Sequence, residues 1–407
     1  MRWIPFIIFI IIVQWYAFQA IKTITQNKFW WAIYALVVGI ILGGVLWQTL
    51  NFDRTVGWIP IVAYSLGMFV ALLSGQLLMI CLLFLEDLSR GASSLLHFFT
   101  SDQKIHFPQR RKFVSQIAIA LGAIPFSSLL YGMYKGRYNY RVLNYTLEYE
   151  NLPDGFDGFQ ITQISDLHCG SFDNTKKVAY GLDLIDKQKS DLVLFTGDMV
   201  NNKANEARPW VEFIAKIKAP YGKFSVLGNH DYGDYSDWEN EADKKQNMEE
   251  MYQIHQDMGF DLLLNESRYI EKNGDRIALV GVENWGAGRF KKAGDLEKKK
   301  KKIEPNDFKI LLSHDPSHWE AEVIPHAYPF HLTLSGHTHG FQFGIEIPGW
   351  IKWSPIQWRY KQWAGIYENK EQKLNVNRGF GYLAYPGRVG IWPEITVITL
   401  KKKKLLV

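Results

Sequence analysis

The sequence predicts an α/β domain that follows an all-α membrane region of four transmembrane helices. Four long uncharged runs lie in the first third of the 407-residue chain. From residue 141 onward, short apolar runs alternate with segments of helical length, as in layered α/β domains with mixed sheets. Several of these short runs end in Asp, Asn or His, and open α/β sheets place their sites at the ends of strands. The chain is therefore expected to combine a membrane region with a domain that carries a chemical site.

The uncharged runs are long enough to cross a bilayer as helices. About 20 apolar residues span the hydrocarbon core, whereas helices of a soluble protein interleave charges on one face, and these runs contain none. We therefore expect a membrane region over residues 1–140. Its helices are predicted at about 3–21, 29–51, 57–85 and 113–134.

The side of the membrane is predicted from the Lys and Arg residues between the spans. Four spans place both chain ends on one side. If the ends are outside, the inner loops carry Lys22, Lys28, Arg90, Lys104, Arg110, Arg111 and Lys112. If the ends are inside, the inner segments carry Arg2, Arg54, Lys135, Arg137 and Arg141. Because inner loops are enriched in Lys and Arg, the sequence favours a multi-pass cell-membrane protein with an extracytoplasmic second domain.

Two further expectations concern the interior of the membrane region. Gly39, Gly43 and Gly44 permit close helix packing, for which contacts within the bundle are favoured over dimerisation. Residues 86–112 are expected to form a solvated connector with an amphipathic part. The predicted spans lack charged residues, so a transport pathway is not indicated.

Composition excludes several classes of protein. The chain has only two cysteines, Cys81 and Cys169, so a disulfide framework is not expected. The formal net charge is +5, which argues only weakly for acidic partners. The chain has no basic module with interleaved aromatic residues, so nucleic acid is not an expected partner.

Residues 141–407 are predicted to form the α/β domain. Predicted strands cover 141–151, 159–164, 192–195, 224–227, 261–265, 268–282, 308–312 and 331–334, with a hairpin turn at Asn273-Gly274-Asp275. Predicted helices cover 176–187, 206–217 and 237–258.

Seven side chains that suit a divalent metal follow these strands. They are Asp166, His168, Asp198, Asn229, His314, His337 and His339. Asp166 and His168 are two residues apart, so both can face one ion where the chain curls out of its strand. Asp198 is the natural bridge between two ions. Any one of these motifs arises by chance, but the ordered set predicts a two-metal hydrolase.

Two residues are predicted to be catalytic. His230 follows Asn229 directly and is placed to protonate a leaving oxygen or to hold a phosphate oxygen. Asp231 is expected to orient His230.

These motifs resemble those of the calcineurin-like metallophosphoesterase superfamily. Its pattern of Asp-x-His, Gly-Asp, Gly-Asn-His-Asp/Glu, His and Gly-His-x-His occurs here in order between residues 160 and 341. The C-terminal part resembles the YkuE-like bacterial branch, which often carries N-terminal transmembrane helices. The residues that carry this second resemblance are Asn377, Arg378, Gly379, Gly381, Pro386, Arg388, Pro393 and Glu394.

The resemblance implies a four-layer α/β/β/α sandwich of two mixed sheets over residues 141–407. It implies two divalent ions, and family members use Mn, Fe, Zn or Mg. One ion would be held by Asp166, His168, Asp198 and His339, and the other by Asp198, Asn229, His314 and His337. Phe341 stands where this branch often has Gly, and its bulk is expected to narrow the site entrance.

The function expected from these features is a membrane-anchored dinuclear-metal phosphohydrolase. It would cleave a phosphoester (a mono-, di- or pyrophosphate, soluble or lipid-linked) by attack of a metal-bridging hydroxide. Its expected partners are that substrate and membrane lipids. The alternative is a non-catalytic membrane scaffold that binds metal and phosphate, although such proteins usually lose a ligand or the catalytic His.

Tryptophans after the last metal motif leave two interpretations open. Trp350, Trp353 and Trp358 either pack within the domain or form an apolar rim at the membrane surface that admits an acyl chain.

Overall fold

The computed structural model describes residues 3–57, 59–100, 108–298 and 303–403. These residues form two compact units, of which one comprises Met1–Phe52 and Ile61–Tyr134 and the other comprises Asp53–Pro60 and Lys135–Val407. The first unit is helical and the second contains mixed sheets, which confirms the predicted fold class. We retain 1–140 and 141–407 as the proposed division into domains.

The helical unit consists of four long apolar helices. They are α1 (Ile4–Ile24), α2 (Lys28–Leu50), α3 (Pro60–Thr100) and α4 (Pro108–Tyr134). By length and composition, all four are able to cross a membrane. Ala20, Leu83 and Ala118 are fully buried in its interior, whereas Ile12 and Leu36 are more than half exposed. Small residues inside and large apolar residues outside are typical of a bundle solvated by lipid.

Helix α3 extends beyond the predicted span into the segment that we expected to be a solvated connector. Glu86 is buried rather than solvated. Its carboxylate lies 2.6 Å from Nη1 of Arg111 on α4, which also lies 3.0 Å from Asp87. Because Glu86 and Asp87 of α3 are paired with Arg111 of α4, these charges do not end the helix. The pairing joins residues that are distant in the sequence, so the sequence alone did not predict it. Residues 101–107 of the expected connector lie outside the described residues.

The closest glycine contact in the bundle is not the one that the sequence favoured. A Cβ atom built on Gly39, Gly43 or Gly44 has no heavy atom within 4 Å, so these residues make no close packing within the described unit. Instead, α3 and α4 cross at Gly75 and Gly122, where a Cβ on either glycine would lie 2.7 Å from the carbonyl oxygen of the other.

This crossing yields a prediction about stability. In Gly122→Ala, the new methyl group would also lie 2.5 Å from Cγ of Met79, so α3 and α4 must separate. Overpacking of this kind costs about 1–3 kcal/mol. We expect a lower melting temperature for the full chain in detergent. The control Gly43→Ala fills open space and should be neutral or stabilising, because Ala favours helix over Gly by about 1 kcal/mol. Equal melting temperatures for the two variants would contradict the crossing.

The second unit contains fourteen strands and three α-helices among the described residues. The strands are β1 (Arg141–Tyr149), β2 (Gln160–Ile164), β3 (Leu192–Phe195), β4 (Lys223–Ser225), β5 (Asp261–Leu262), β6 (Glu266–Lys272), β7 (Asp275–Gly281), β8 (Lys309–Leu312), β9 (Leu332–Ser335), β10 (Ile345–Ile347), β11 (Ile351–Trp353), β12 (Gly365–Asn369), β13 (Gln372–Val376) and β14 (Glu394–Lys402). The helices are α5 (Thr175–Asp186), α6 (Val211–Ala215) and α7 (Glu241–Asp257).

Two six-stranded mixed sheets form the centre of this unit. The first has the strand order β1-β14-β2-β3-β4-β5 and the second has the order β12-β13-β9-β8-β7-β6. In the first sheet β2, β3 and β4 are parallel, and in the second sheet β7, β8 and β9 are parallel. Parallel neighbours end at the same edge of a sheet, so each sheet presents one edge where several strands terminate.

Side-chain alternation along the strands explains the layers. Leu192 and Leu194 of β3 join the apolar core that also includes Ile310 and Leu334 of the second sheet. The intervening residues of β3 face the opposite way and pack against α5, α6 and α7. On the outer face of the second sheet, a one-turn helix at Trp319–Val323 forms the fourth layer. Strands buried on both faces form the two central layers of an α/β/β/α arrangement.

Candidate metal centre

The seven predicted ligands all follow strands that end at these edges. Asp166 and His168 come after β2, Asp198 after β3, Asn229 after β4, His314 after β8, and His337 and His339 after β9. The structure brings these seven residues together from both sheets. Their side chains are almost entirely withdrawn from solvent, and among the histidines His337 and His339 are the most exposed, at 9% and 11%.

The backbone at the ligands is turned sharply out of the strands. Five of the seven ligands have positive φ: Asp166 (53°), His168 (49°), Asp198 (60°), His337 (70°) and His339 (51°). A left-handed conformation costs about 1–2 kcal/mol for a residue with a side chain. Neighbouring ligand loops hold it in place, since the amide of Asp166 donates to Gly197 and the amide of His168 donates to Asp198. Strain of this kind is concentrated at functional sites.

The ligands form two groups that share one carboxylate. In the first group, Nε2 of His339 lies 3.0 Å from Nε2 of His168 and 3.2 Å from Oδ1 of Asp166. In the second group, Nε2 of His314 lies 3.2 Å from Oδ2 of Asp198 and 3.3 Å from Nδ1 of His337. The same Oδ2 of Asp198 lies 3.6 Å from Nε2 of His168. One oxygen atom therefore faces both groups.

Hydrogen bonds to the outer ring nitrogens of His168, His314 and His337 determine which nitrogen of each ring is bare, that is, carries no proton. Nδ1 of His168 lies 3.1 Å from the carbonyl of Val200, and Nδ1 of His314 lies 2.7 Å from the carbonyl of Thr196. A carbonyl only accepts, so both Nδ1 atoms carry protons and both Nε2 atoms present lone pairs to the site. Such outer hydrogen bonds are typical of metal-binding histidines.

His337 is oriented in the opposite sense by Tyr360. The Tyr360 hydroxyl lies 2.9 Å from Nε2 of His337 and donates to Asp315 at 3.3 Å. It therefore accepts the Nε2 proton of His337, which leaves Nδ1 bare towards His314. Two unprotonated imidazole nitrogens 3.3 Å apart would repel each other, so this pair needs either a proton on His314 or a metal ion between the rings.

Asn229 presents a neutral oxygen to the same region. Its Nδ2 atom donates to the hydroxyl of Tyr235 at 2.9 Å. Its Oδ1 atom is buried and lacks a hydrogen-bond partner among the described residues. A buried oxygen without a donor is costly in a folded protein, and coordination to a metal ion removes that cost.

The charges of the site also fit divalent cations. Burial raises the pKa of the Asp166 carboxyl to about 6. Burial alone would lower the pKa of His314, but the charge of Asp198 and its hydrogen bond outweigh burial and raise it to about 10. The pKa of Asp198 is held well below its usual range because the neighbouring histidines outweigh its burial. Without a fixed cation, the buried carboxylates thus favour protons, either on themselves or on a neighbouring histidine. Bound metal ions would replace those protons.

His230 lies beside the two groups and is half-buried. Nδ1 of His230 lies 2.7 Å from the carbonyl of Asn201, which leaves Nε2 free to act as a donor or acceptor. Its ring centroid is 5.0 Å from that of His168 and 4.4 Å from that of Tyr235. The structure thus places His230 next to the predicted ligands, as the sequence suggested.

The prediction that Asp231 orients His230 is wrong. Asp231 is fully buried, and its carboxylate accepts the backbone amides of Gly228 at 2.8 Å, Asp198 at 2.9 Å and Met199 at 2.7 Å. The carbonyl of Asn201 takes the role that we assigned to Asp231. The carboxylate of Asp231 thus points to the backbone of the loop that begins at Asp198 and not to the ring of His230. Asp231 is therefore a positioning residue for the loop of Asp198.

Several residues around the site were not found by sequence reasoning. Tyr235 and Tyr360 lie in irregular loops, and periodicity does not distinguish them from other aromatic residues in loops. Arg388 is fully buried and lies 3.2 Å from Nδ1 of His339. It also donates to the carbonyl of Gly381 at 2.6 Å, which fixes the C-terminal loop beside this ligand. The C-terminal motif that contained Arg388 was the only sequence indication of its role.

Comparison with known proteins gives the same assignment. Residues 159–341 match the family model described as calcineurin-like phosphoesterase. Residues 1–137 match the model described as "Probable Calcineurin-like phosphoesterase, transmembrane domain". An uncharacterized metallophosphoesterase, YkuE, of Bacillus subtilis (strain 168) is 30% identical over 298 residues, which cover 72% of this chain and 97% of the relative. This chain belongs to the calcineurin-like phosphoesterases.

Two further relatives cover different shares of the chain. A transmembrane protein with a metallophosphoesterase domain from Danio rerio is 25% identical over 387 residues, covering 92% of this chain and 81% of the relative. An uncharacterized metallophosphoesterase of Aquifex aeolicus (strain VF5) is 27% identical over 283 residues, covering 68% of this chain and 99% of the relative. The resemblance inferred from the motifs is confirmed, and the protein is a metal-dependent phosphoesterase.

The contacts of Tyr235 yield a prediction. Tyr235→Phe removes the hydroxyl that accepts the Asn229 amide, so the amide loses its fixed orientation. Outer contacts of this kind typically account for 10–100-fold in metal affinity or activity, and we expect a loss of about tenfold in either. Manganese titration and hydrolysis of bis-p-nitrophenyl phosphate measure the two quantities. Tyr180→Phe, at an exposed position on α5, is the control. A Tyr235→Phe enzyme with unchanged affinity and turnover would show that Asn229 is oriented by other contacts.

Proposed function

We propose that this protein is a membrane-anchored phosphohydrolase with a dinuclear metal centre. Asp166, His168, Asp198 and His339 would hold one divalent ion, and Asp198, Asn229, His314 and His337 would hold the other. Two bound cations supply a clamp for phosphate oxygens and lower the pKa of a water nucleophile. The proposed reaction is in-line displacement at the phosphorus of a mono-, di- or pyrophosphate ester.

The observation that carries this proposal is the position of Asp198. Its Oδ2 atom lies 3.6 Å from a ligand of the first group and 3.2 Å from a ligand of the second. Its other oxygen accepts the backbone amide of His230 at 2.9 Å. The carboxylate of Asp198 therefore links both ligand groups to His230, the residue proposed for proton transfer. The proposed reaction needs both metal ions and His230 together.

His230 is proposed to assist the leaving group. The proton on Nδ1 is held by the carbonyl of Asn201, so Nε2 is the nitrogen that exchanges a proton with substrate or contacts a phosphate oxygen. Tyr235 packs against the ring and limits its rotation. The alternative of a non-catalytic scaffold is disfavoured by the same geometry, because the ligand set and His230 are all assembled.

The catalytic domain is proposed to be extracytoplasmic. Support comes from the seven Lys and Arg residues between the predicted spans on the side opposite the chain ends. The substrate would then be a phosphoester of the cell envelope, and the proposal includes lipid-linked esters.

The role of His230 is tested by comparing two variants. His230→Ala should retain both metal ions, since the ring is not among the proposed ligands, but should lose about 10²–10⁴-fold in kcat. Asp198→Ala should lose both ions because its carboxylate faces both groups. Metal content by mass spectrometry and hydrolysis of bis-p-nitrophenyl phosphate with manganese are the measurements.

His326→Ala is the matched control, because this histidine packs on the outer face of the second sheet beside Phe330. It should retain both metal ions and full turnover. Full turnover by His230→Ala would contradict its catalytic role. Absence of turnover by the folded, metal-loaded wild-type protein with phosphomonoesters and phosphodiesters alike would contradict the proposed function itself.

The membrane side is tested with reporters fused after residue 407. An extracytoplasmic terminus should give alkaline phosphatase activity and no green fluorescence, because the phosphatase folds outside and the fluorescent protein folds inside. A fusion at residue 26, between the first two helices, should give the reverse. The opposite pattern at the two positions would place the catalytic domain in the cytoplasm.

A further inference from the structure

Strands β10 and β11 form a two-stranded hairpin beside the metal centre. The hairpin begins soon after His339, and its strands pair only with each other. Ile345 pairs with Trp353, Glu346 with Lys352, and Ile347 with Ile351. Directly opposed residues of an antiparallel pair project to the same face, and successive residues project to opposite faces. The hairpin thus has one face made by Glu346 and Lys352 and another made by three isoleucines and Trp353.

The charged face of the hairpin is turned towards the domain. The carboxylate of Glu346 lies 2.5 Å from Nη2 of Arg378, whose side chain is only 5% exposed and also pairs with Glu394. The ammonium group of Lys352 donates to the carbonyl of Ala364 and lies over the ring of Trp363. Glu346 is partly buried against the buried Arg378, whereas Lys352 remains exposed along its length and only its ammonium group reaches the domain. These two contacts orient the hairpin.

The apolar face is therefore turned away from the domain. Ile345 is 50% exposed and Ile347 is 43% exposed. At the tip, a turn at Pro348 and Gly349 projects Trp350, which is 77% exposed. Trp358, just after the hairpin, is 78% exposed. Ile351 and Trp353 of the same face are partly buried. The exposed Ile345, Ile347 and Trp350 are the part of the hairpin that water disfavours, since a solvated hairpin usually buries its apolar face.

We infer that this hairpin is a membrane-docking element, whose apolar face and Trp350 insert at the boundary between lipid headgroups and acyl chains. The chain itself points to this occupant, because four candidate membrane helices precede the domain and hold it at a bilayer. Tryptophan is enriched at this boundary. Arg359 and Lys361 are exposed close to Trp358 and supply positive charge for anionic headgroups.

The hairpin is attached rigidly to the metal ligands. Ser354, at its end, donates to the carbonyl of Gly340 at 2.8 Å, directly after His339. Tyr360, seven residues after Trp353, accepts the proton of His337 at 2.9 Å. Phe341 is 58% exposed on the same ligand loop. A docked hairpin would thus bring the metal centre to the lipid surface, and the phosphoester presented there would be part of a lipid. This last step rests on the proposed function, whereas docking itself does not.

Docking is tested with the full chain in nanodiscs of phosphatidylcholine and phosphatidylglycerol. Ile347→Cys in a Cys81→Ser background carries an environment-sensitive fluorophore, since Cys169 is buried. Lipids with a nitroxide in the upper acyl chain should quench this label. Tyr180→Cys, exposed on α5, is the control and should not be quenched. A label at position 347 that no lipid nitroxide quenches would overturn the inference, as would one protected by a second copy of the chain.

Substrate delivery is tested with the double variant Ile347→Ser, Trp350→Ser. We expect kcat/KM for a lipid-linked p-nitrophenyl phosphodiester in the same bilayer to fall by at least about tenfold, because two apolar side chains are lost and one alone is worth about that factor. Turnover of soluble bis-p-nitrophenyl phosphate should not change. Tyr180→Ser should leave both unchanged. Equal turnover of the lipid ester by wild type and double variant would overturn this step. Quenching without hydrolysis of either ester by the wild type would contradict the proposed function alone.

Discussion

The carboxylate of Asp198 is the constraint on which the site depends. One of its oxygens lies within 3.6 Å of ligands from both groups, and the other accepts the amide of His230. That position exists only because β3 lies between β2 and β4 in the first sheet and because the second sheet ends opposite. Asp231 then holds the loop of Asp198 by accepting its backbone amides. The buried carboxylates and unprotonated imidazole nitrogens of this cluster need cations to be stable. The same need gives the cluster its capacity to bind metal ions.

The C-terminal segment completes this arrangement although it contributes no predicted ligand. The amide of Phe380 donates to Ser165, and that of Gly381 donates to Asp166, so the segment lies along the first ligand loop. Arg388 joins it to His339 from the opposite side. Strand β14 runs between β1 and β2 in the first sheet. The first ligand group is therefore held in part by residues far from the metal motifs in the sequence.

The hairpin of β10 and β11 shows that tertiary contacts can reverse the orientation that a local sequence pattern predicts. Alternating Ile and charged residues ordinarily predict a strand whose isoleucines face a core. Here Glu346 pairs with the buried Arg378 and the ammonium group of Lys352 donates to the carbonyl of Ala364, while Ile345 and Ile347 are left exposed. For a domain that follows four apolar helices, an outward apolar face is consistent with a lipid surface. Of the three tryptophans for which the sequence left two interpretations open, Trp350 and Trp358 are exposed, and Trp353 is partly buried beside Phe343.

The sequence by itself determined the class of fold, the apolar helices and the set of seven candidate ligands. Those features depend on local properties: run length, alternation, and chemical groups placed directly after strands. Tertiary structure decided the rest, because it depends on partners distant in the chain. The pairing of Glu86 with Arg111 extended α3 beyond its predicted end, and Gly75 with Gly122 rather than Gly43 formed the close crossing. Contacts between loops likewise decide that Tyr235 orients the amide of Asn229 and that the carbonyl of Asn201, not Asp231, orients His230. Periodicity in the sequence carries no information on such contacts.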